Sequence, residues 1–548
     1  MGRHEETLSN IIHIHDVLII GAGPSGLAVA ARLSESMPAA NFTDDEHRRF
    51  HWIKRHQACL KVRTNGCADR HKPQVVSAAR TELDILALDE YSDTWMARWK
   101  GFFKTFDIPH LRSPMFFHID PAERDGLLSY AYATGRKQEL RELTNCVGKE
   151  LSKHERKKRE RSRRQPRAEP TVDERDRQDY FVPSTPLFFD QCTHIADRYK
   201  LLDNSMVSHE KVEDIQYDYV KEYSNEQKIF MIKTNKTVHY SRTAVLAIGG
   251  NPAKIPHTLT PEETEGATHV MYLKNGDLPS LHTRHKMASS ETHIVVVGGG
   301  LTSAQIADVL IRKGVTHVYL IMRGPLKIKH FDIGLEWVGK FRNVEHANFW
   351  NSSSHEERYE KWMAARNGGS ITPYYKKIIE KHAASGRLSI LQHTTLGDMT
   401  WNAESKTWAA SSVSSAQIDA PVELPPIDHI YFATGVGTDF ESLPFLQSMR
   451  RDYPVENCGG FPCITESMAW RDDVPLFVAG RFAGLQLGPG APNLIGARIG
   501  ADRIAWAIQD VLGNAEGEKQ TVSWSQDKFD YVSGRGSRFT ALADFVAV

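Results

Sequence analysis

Apolar residues along this chain gather in short runs of strand length, and several of the runs end in small residues. Val17 to Ile20, Leu83 to Leu88, Ala244 to Ile248, Ile294 to Val297, Val318 to Met322, Ile427 to Gly435 and Val474 to Gly480 are such runs. Short apolar runs bounded by turn residues read as buried strands of a parallel sheet. An Ala/Leu-rich helical pattern follows the first run, and a second one, from Leu301 to Leu310, follows the fourth. Trp95 to Phe103 reads as an amphipathic helix, and a helical pattern resumes after Pro186 and runs to Tyr199. Alternation at 211–241 predicts strands, and 391–424 predicts a strand pair around Trp401 and Trp408. Strands alternating with helices point to an α/β doubly wound fold. Residues 38–80 are polar and poorly periodic and read as an insertion. Lys149 to Asp179 is charged and almost free of apolar residues, so it cannot bury a core and reads as a disordered surface insertion.

Two of the strand-to-helix junctions carry chemistry. After Val17–Ile20 comes Gly21-Ala22-Gly23-Pro24-Ser25-Gly26, a dinucleotide-binding turn in its proper context. Gly21 permits the tight turn, Gly23 leaves room for a pyrophosphate, and Gly26 lets the helix approach the strand. Unpaired N–H groups at the helix start, with Pro24 and Ser25 at its mouth, then face the phosphates. The acid that would bind the ribose is Asp89 or Glu90, which requires 38–80 to be inserted ahead of the second strand. After Ile294–Val297 the same turn recurs with Gly298, Gly300, Leu301 and Thr302, and Ser303 fills the third glycine position. The following strand ends in Arg323 rather than an acid, which favours a 2′-phosphate and so NADPH over NADH. Two such turns with different strand-end chemistry point to a flavin and a nicotinamide exchanging hydride. Later, Gly480 closes a strand, and Gly488 to Gly496 leads into a helix. Gly490, Asn493 and Leu494 stand at the helix start, where N–H groups can stabilise a reduced flavin.

Composition narrows the picture. Lys+Arg and Asp+Glu both number 68, which gives no reason to expect nucleic acid or an anionic membrane surface as a partner. No apolar run reaches the roughly 20 residues of a membrane span, and the first ten residues lack the apolar core of a signal peptide. The 6 cysteines are scattered, which suits a reducing cytosol and predicts a cytoplasmic protein. The 25 histidines show no HExxH spacing, and there is no GxSxG. No metal is expected.

The chain resembles the flavin-dependent monooxygenases with two dinucleotide-binding domains, most nearly the N-hydroxylating branch that includes lysine and ornithine monooxygenases. Gly21, Gly23 and Gly26, then Gly298, Gly300, Ser303 and Arg323, the strand ends AIGGNP and ATG (Ala433 to Gly435) and the closing VAG…GPGAPN stretch carry the resemblance. It departs from the Baeyer–Villiger and mammalian-type enzymes in lacking an FxGxxxHxxx(W/Y/F) run. The resemblance implies two Rossmann-like domains, with an NADPH domain (291–425) inserted into a discontinuous FAD domain (1–290 and 426–515) and a tail at 516–548. It implies FAD and NADPH as cofactors, O2 as co-substrate and a C4a-hydroperoxyflavin that oxygenates a small nucleophile, with N-hydroxylation of an amine as the leading reaction. The substrate pocket is expected among loops 110–121, 325–372 and 439–470. No catalytic side chain is assigned, and a homo-oligomer is left open. A flavin disulfide reductase using Cys458 and Cys463, or a catalytically weak regulatory flavoprotein, are the alternatives.

Overall fold

The structure is a computed structural model. It describes residues 13–36, 38–56, 83–144, 146, 149–150, 171–172, 177, 180–203, 205–221, 223–250, 253–256, 258–339, 342–414 and 422–515. The expectations for 57–82, for Asn251 and Pro252, for most of 149–179 and for the tail at 516–548 lie outside the described residues.

The apolar runs lie in the two largest of the sheets among the described residues. In the first, the order is Ala469–Arg471, Val474–Val478, Val238–Leu246, Ile14–Ile20, Ile85–Asp89 and Val207–His209. The first strand lies parallel to both neighbours, with Ile19 opposite Val245 on one side and Ala87 on the other. The alternation at 211–241 appears as the antiparallel strands Val212–Val220 and Ser224–Thr234, which lead into Val238–Leu246. The second sheet is fully parallel, in the order Ala267–His269, His429–Phe432, His293–Val297, His317–Ile321 and Leu388–Leu391. Beside it, Trp401 and Trp408 face each other across an antiparallel pair.

Strand pairing reaches beyond the 291–425 bounds expected for the inserted domain. Ala267–His269 and His429–Phe432 belong to the second sheet, so the insertion starts before 291 and continues past 425. The cause is that apolar strands ending in small residues look alike in both sheets. The two chain crossings meet: Ala253 bridges Val436, and the Lys254 N–H donates to the Gly435 carbonyl at 3.0 Å.

Each sheet has its own core. The first helix (Pro24–Ser34) buries Leu27 to Leu33 against the last one (Leu494–Ala515), whose Ala497, Ala501, Ile504 and Ile508 are also buried. The helix Leu301–Arg312 covers the second sheet together with Pro373–Ala384. Phe102 and Phe106, on and just after the helix Ala97–Thr105, reach from the first body into the second core, and Arg312 pairs there with Asp107 at 2.7 Å.

One half-buried side chain joins the two bodies through several hydrogen bonds. Arg112 donates to the carbonyls of Lys329, His330, Phe331 and Ser370 and to Ser370 Oγ, at 2.6 to 3.3 Å. Burial lowers its pKa to about 10, so it remains a cation at neutral pH. Arg112→Ala leaves several carbonyls without donors, each costing about 1–3 kcal/mol if it stays buried, so the expected destabilisation is about 3 kcal/mol. Thermal unfolding followed by circular dichroism checks this, and Arg112→Lys recovers only part because an ammonium has three donors and no planar fork.

Candidate active site

Both glycine turns lie at the C-terminal ends of their sheets, where open α/β folds bind ligands. At the first, Gly21 has φ +110°, and a Cβ there would stand 2.7 Å from the Ala247 carbonyl oxygen. A Cβ on Gly26 would stand 2.0 Å from the Gly21 oxygen, which fixes the close helix-to-strand approach. A Cβ on Gly23 would meet nothing within 4 Å, so open space lies where a pyrophosphate would touch backbone. Pro24 opens the helix with no side-chain cap on its amides. This cradle fits the pyrophosphate of FAD.

Of the two candidate ribose acids, Asp89 is held against the turn by backbone amides while keeping acceptor capacity on both oxygens. Its Oδ2 accepts the Ala22 N–H at 2.9 Å and its Oδ1 the Tyr91 N–H at 2.8 Å. Glu90 next to it is exposed. Sequence reasoning missed Met96, which holds φ +65° while its N–H donates to the Ala22 carbonyl at 2.8 Å. A bulky residue in that conformation costs on the order of 1–3 kcal/mol and persists only where the surroundings impose it.

The second turn repeats the stereochemistry. Gly298 has φ +144°, and a Cβ there would stand 2.3 Å from the Ala433 oxygen. Ser303 is buried and donates from Oγ to the Gly300 carbonyl at 2.6 Å, so a hydroxyl is accommodated where the motif has glycine. Leu301 and Thr302 are half-buried at the helix start. Arg323 is exposed just past the strand His317–Ile321 and forms no ion pair among the described residues. Gly300 differs from Gly23 in having a neighbour: a Cβ on Gly369 would lie 3.0 Å from the Gly300 Cα.

The closing segment comes to the first turn. Gly480, with φ +69°, sits where a Cβ would lie 3.1 Å from Ser25 Oγ. Gly496 lets the loop through Gly490 fold onto the last helix, since a Cβ there would be 2.4 Å from the Gly490 oxygen. Leu494 turns its side chain into the core, and Asn493 donates from Nδ2 to Asp332 Oδ1 at 3.2 Å. Asp332 in turn pairs with Arg366 at 2.6 Å, and Arg366 also donates to the Pro489 carbonyl. Burial pushes the Asp332 carboxyl upward, but Arg366 and Arg112 outweigh it and hold it below the ordinary carboxylate range. Loops 110–121 and 325–372 therefore do meet, through Arg112, and the helix His355–Arg366 carries Trp362 onto Phe461 of the third loop.

Arg481 was also missed. Its side chain lies beside Gly250 and Val436, where the chain crosses between bodies, and its hydrogen bond to Thr438 Oγ1 is 3.3 Å long. Burial lowers its pKa to about 10, and Arg366 adds repulsion. No carboxylate pairs with it among the described residues. The signal, an Arg immediately after the strand-ending Gly480, was visible but has no periodicity.

Cys458 and Cys463 flank the Asn457–Cys458 and Phe461–Pro462 hairpin. Burial, then nearby Glu456, pushes the Cys463 thiol up to about 12, and burial also raises Cys458. Neither is poised as a thiolate nucleophile.

The family model of L-lysine 6-monooxygenase/L-ornithine 5-monooxygenase matches residues 188–437. Among solved structures, an ornithine N-hydroxylase from Kutzneria sp. 744, with reduced FAD, NADP+ and L-ornithine, superposes at TM-score 0.59 and 15% identity, over 91% of this chain and 99% of that one. The chain has the fold of the N-hydroxylating flavin monooxygenases. The cadaverine monooxygenase of desferrioxamine biosynthesis from Erwinia amylovora, bound to FAD, superposes at 0.57 and 15% identity, over 91% and 95% of the two chains. L-Lysine 6-monooxygenase from Pseudomonas syringae superposes at 0.55 and 14% identity, over 91% and 100%. No curated protein sequence matches. Among the described residues no helix is long and apolar enough to cross a membrane.

Two substitutions test the cradles. Gly26→Ala drives a methyl into backbone, and the purified protein should lose most of its flavin, read as absorbance near 450 nm per chain. Arg323→Ala should raise KM for NADPH about tenfold, the equivalent of about 1.4 kcal/mol of charge-assisted binding, while leaving KM for NADH nearly unchanged.

Proposed function

We propose that this protein is an FAD-dependent, NADPH-consuming monooxygenase that N-hydroxylates a small amine using O2. The observation that carries the reading is the presence, in one chain, of two stereochemically intact dinucleotide turns whose strand ends meet at a shared crossing. The family match over 188–437 supports it. FAD would occupy the turn at Gly21, Gly23 and Gly26, with Asp89 or Glu90 toward its ribose, and NADPH the turn at Gly298 and Gly300, with Arg323 on the 2′-phosphate. Bound there, the flavin would take hydride from the nicotinamide and activate oxygen, chemistry that belongs to the cofactor.

The chain's own groups bind and orient. Arg112, Asp332 and Arg366 hold loops from both bodies together. Arg481 offers donors at the crossing to an anionic group, such as a carboxylate on the substrate. Raised thiol pKa values at Cys458 and Cys463 weigh against disulfide reduction.

Under argon, NADPH should bleach the yellow protein. On admitting O2, an accepted amine should speed NADPH consumption, suppress peroxide release and yield a hydroxylamine in step with NADPH. Thiol release from a disulfide substrate would favour the reductase, and flavin that NADPH never reduces would favour the regulatory alternative.

A further inference from the structure

The opposite edge of the first sheet, at the N-terminal ends of its parallel strands, holds a cluster that the proposed reaction does not use. His13 and His15 stand two positions apart at the entry to the strand Ile14–Ile20, so their side chains share a face. Asp84 leads into the neighbouring strand. Its Oδ2 lies 2.9 Å from His13 Nε2 and 3.0 Å from His15 Nδ1, so two imidazoles converge on one oxygen. The three ligand atoms lie within 4.8 Å of one another, and the rings meet edge to face with centroids 4.5 Å apart.

The backbone beneath is rigid. The Asp84 carbonyl accepts the N–H groups of Asp16 and Val17, and the Asp84 N–H donates to Asp16 Oδ2 at 3.0 Å. His15 is 14% exposed and anchored, while His13 is 71% exposed and open to an incoming ion. His239 is close by, with its ring 6.3 Å from that of His15, but it is paired with Glu210 at 3.0 Å.

We propose that His13 Nε2, His15 Nδ1 and Asp84 Oδ2 bind one divalent transition-metal ion of the zinc class. Two imidazole nitrogens and one carboxylate suit Zn2+, Ni2+ or Cu2+, with water completing the shell, and do not suit Mg2+ or Ca2+, which take oxygen ligands. The strand's seven residues, at about 3.3 Å each, set the ion roughly 20 Å from the glycine turn. At that distance it ties the first strand to the second and takes no part in hydride transfer. The cluster His355, Glu456 and Cys463 is less ready, because its thiol is pushed up to about 12.

Zinc titrated calorimetrically into the FAD-loaded full chain, with magnesium as control, tests the site. One zinc per chain should bind at micromolar concentration, with no magnesium uptake. Asp84→Asn and His15→Gln should each weaken binding by about tenfold or more, at least what loss of an outer-shell partner costs. His13→Gln, on a solvent-facing ring, should do the same with flavin content and circular dichroism unchanged, so a folding defect in the other variants does not decide the matter. Electron paramagnetic resonance of the copper-loaded protein should show nitrogen coordination that His13→Gln reduces. No zinc uptake by the wild type, or uptake that His13→Gln leaves unchanged, would overturn the proposal.

Discussion

The structure depends on backbone lying against backbone at two places. Gly21 meets the carbonyl of Ala247, and Gly298 meets the carbonyl of Ala433, each so closely that a side-chain carbon would collide. In both cases the carbonyl belongs to the residue just beyond a neighbouring parallel strand, where the chain leaves one sheet for the other. The cofactor cradle and the interdomain crossing are therefore one feature in each body. This explains why AIGG and ATG resemble each other: a small residue is needed at the contact, and a flexible one follows to let the chain depart. Ala253 and Val436, bridged just beyond, make the two departures a paired ribbon.

The cleft between the bodies is held by charge, in a manner that apolar packing could not reproduce. Arg112 is satisfied almost wholly by carbonyls, so it gains geometry from its fork without requiring a buried carboxylate partner. Arg366 and Asp332 supply the ion pair nearby, and Asn493 and Pro489 attach that pair to the closing segment. A half-buried pair of this kind adds little net stability over apolar packing, and its bonds to Asn493 and Pro489 fit a role in fixing loop positions. Arg481 is different. It is a largely buried cation whose one long hydrogen bond leaves donors directed at the crossing.

The local grammar of the chain was legible. Strand runs, glycine turns, the helix after Pro186 and the tryptophan-paired hairpin all follow from periodicity and turn chemistry, because each is decided by residues a few positions apart. The edges of the inserted body were not. His429–Phe432 has the same apolar-then-small pattern whichever sheet it joins, and only its pairing with His293–Val297 decides. Nor could the sequence show that Arg112 reaches Phe331 and Ser370 or that Met96 closes on Ala22, since contacts across more than 200 positions, or through a left-handed residue, leave no periodic mark. For Asp89 the acid was found, but its work on the Ala22 amide was not.

The two cradles, alike in motif, differ in what stands before them. Space is open in front of Gly23, as suits a tightly retained cofactor. In front of Gly300 lies Gly369, in the loop between the helices His355–Arg366 and Pro373–Ala384. That loop is held from its own body by Lys327, which donates to Asn367, and from the other body by Arg112, which takes Ser370. Glycine at 369 is what makes this close approach sterically feasible, since a side chain there would press on the turn itself. The second turn therefore lies against a loop tied to both bodies, whereas nothing stands within 4 Å of where a Cβ on Gly23 would be.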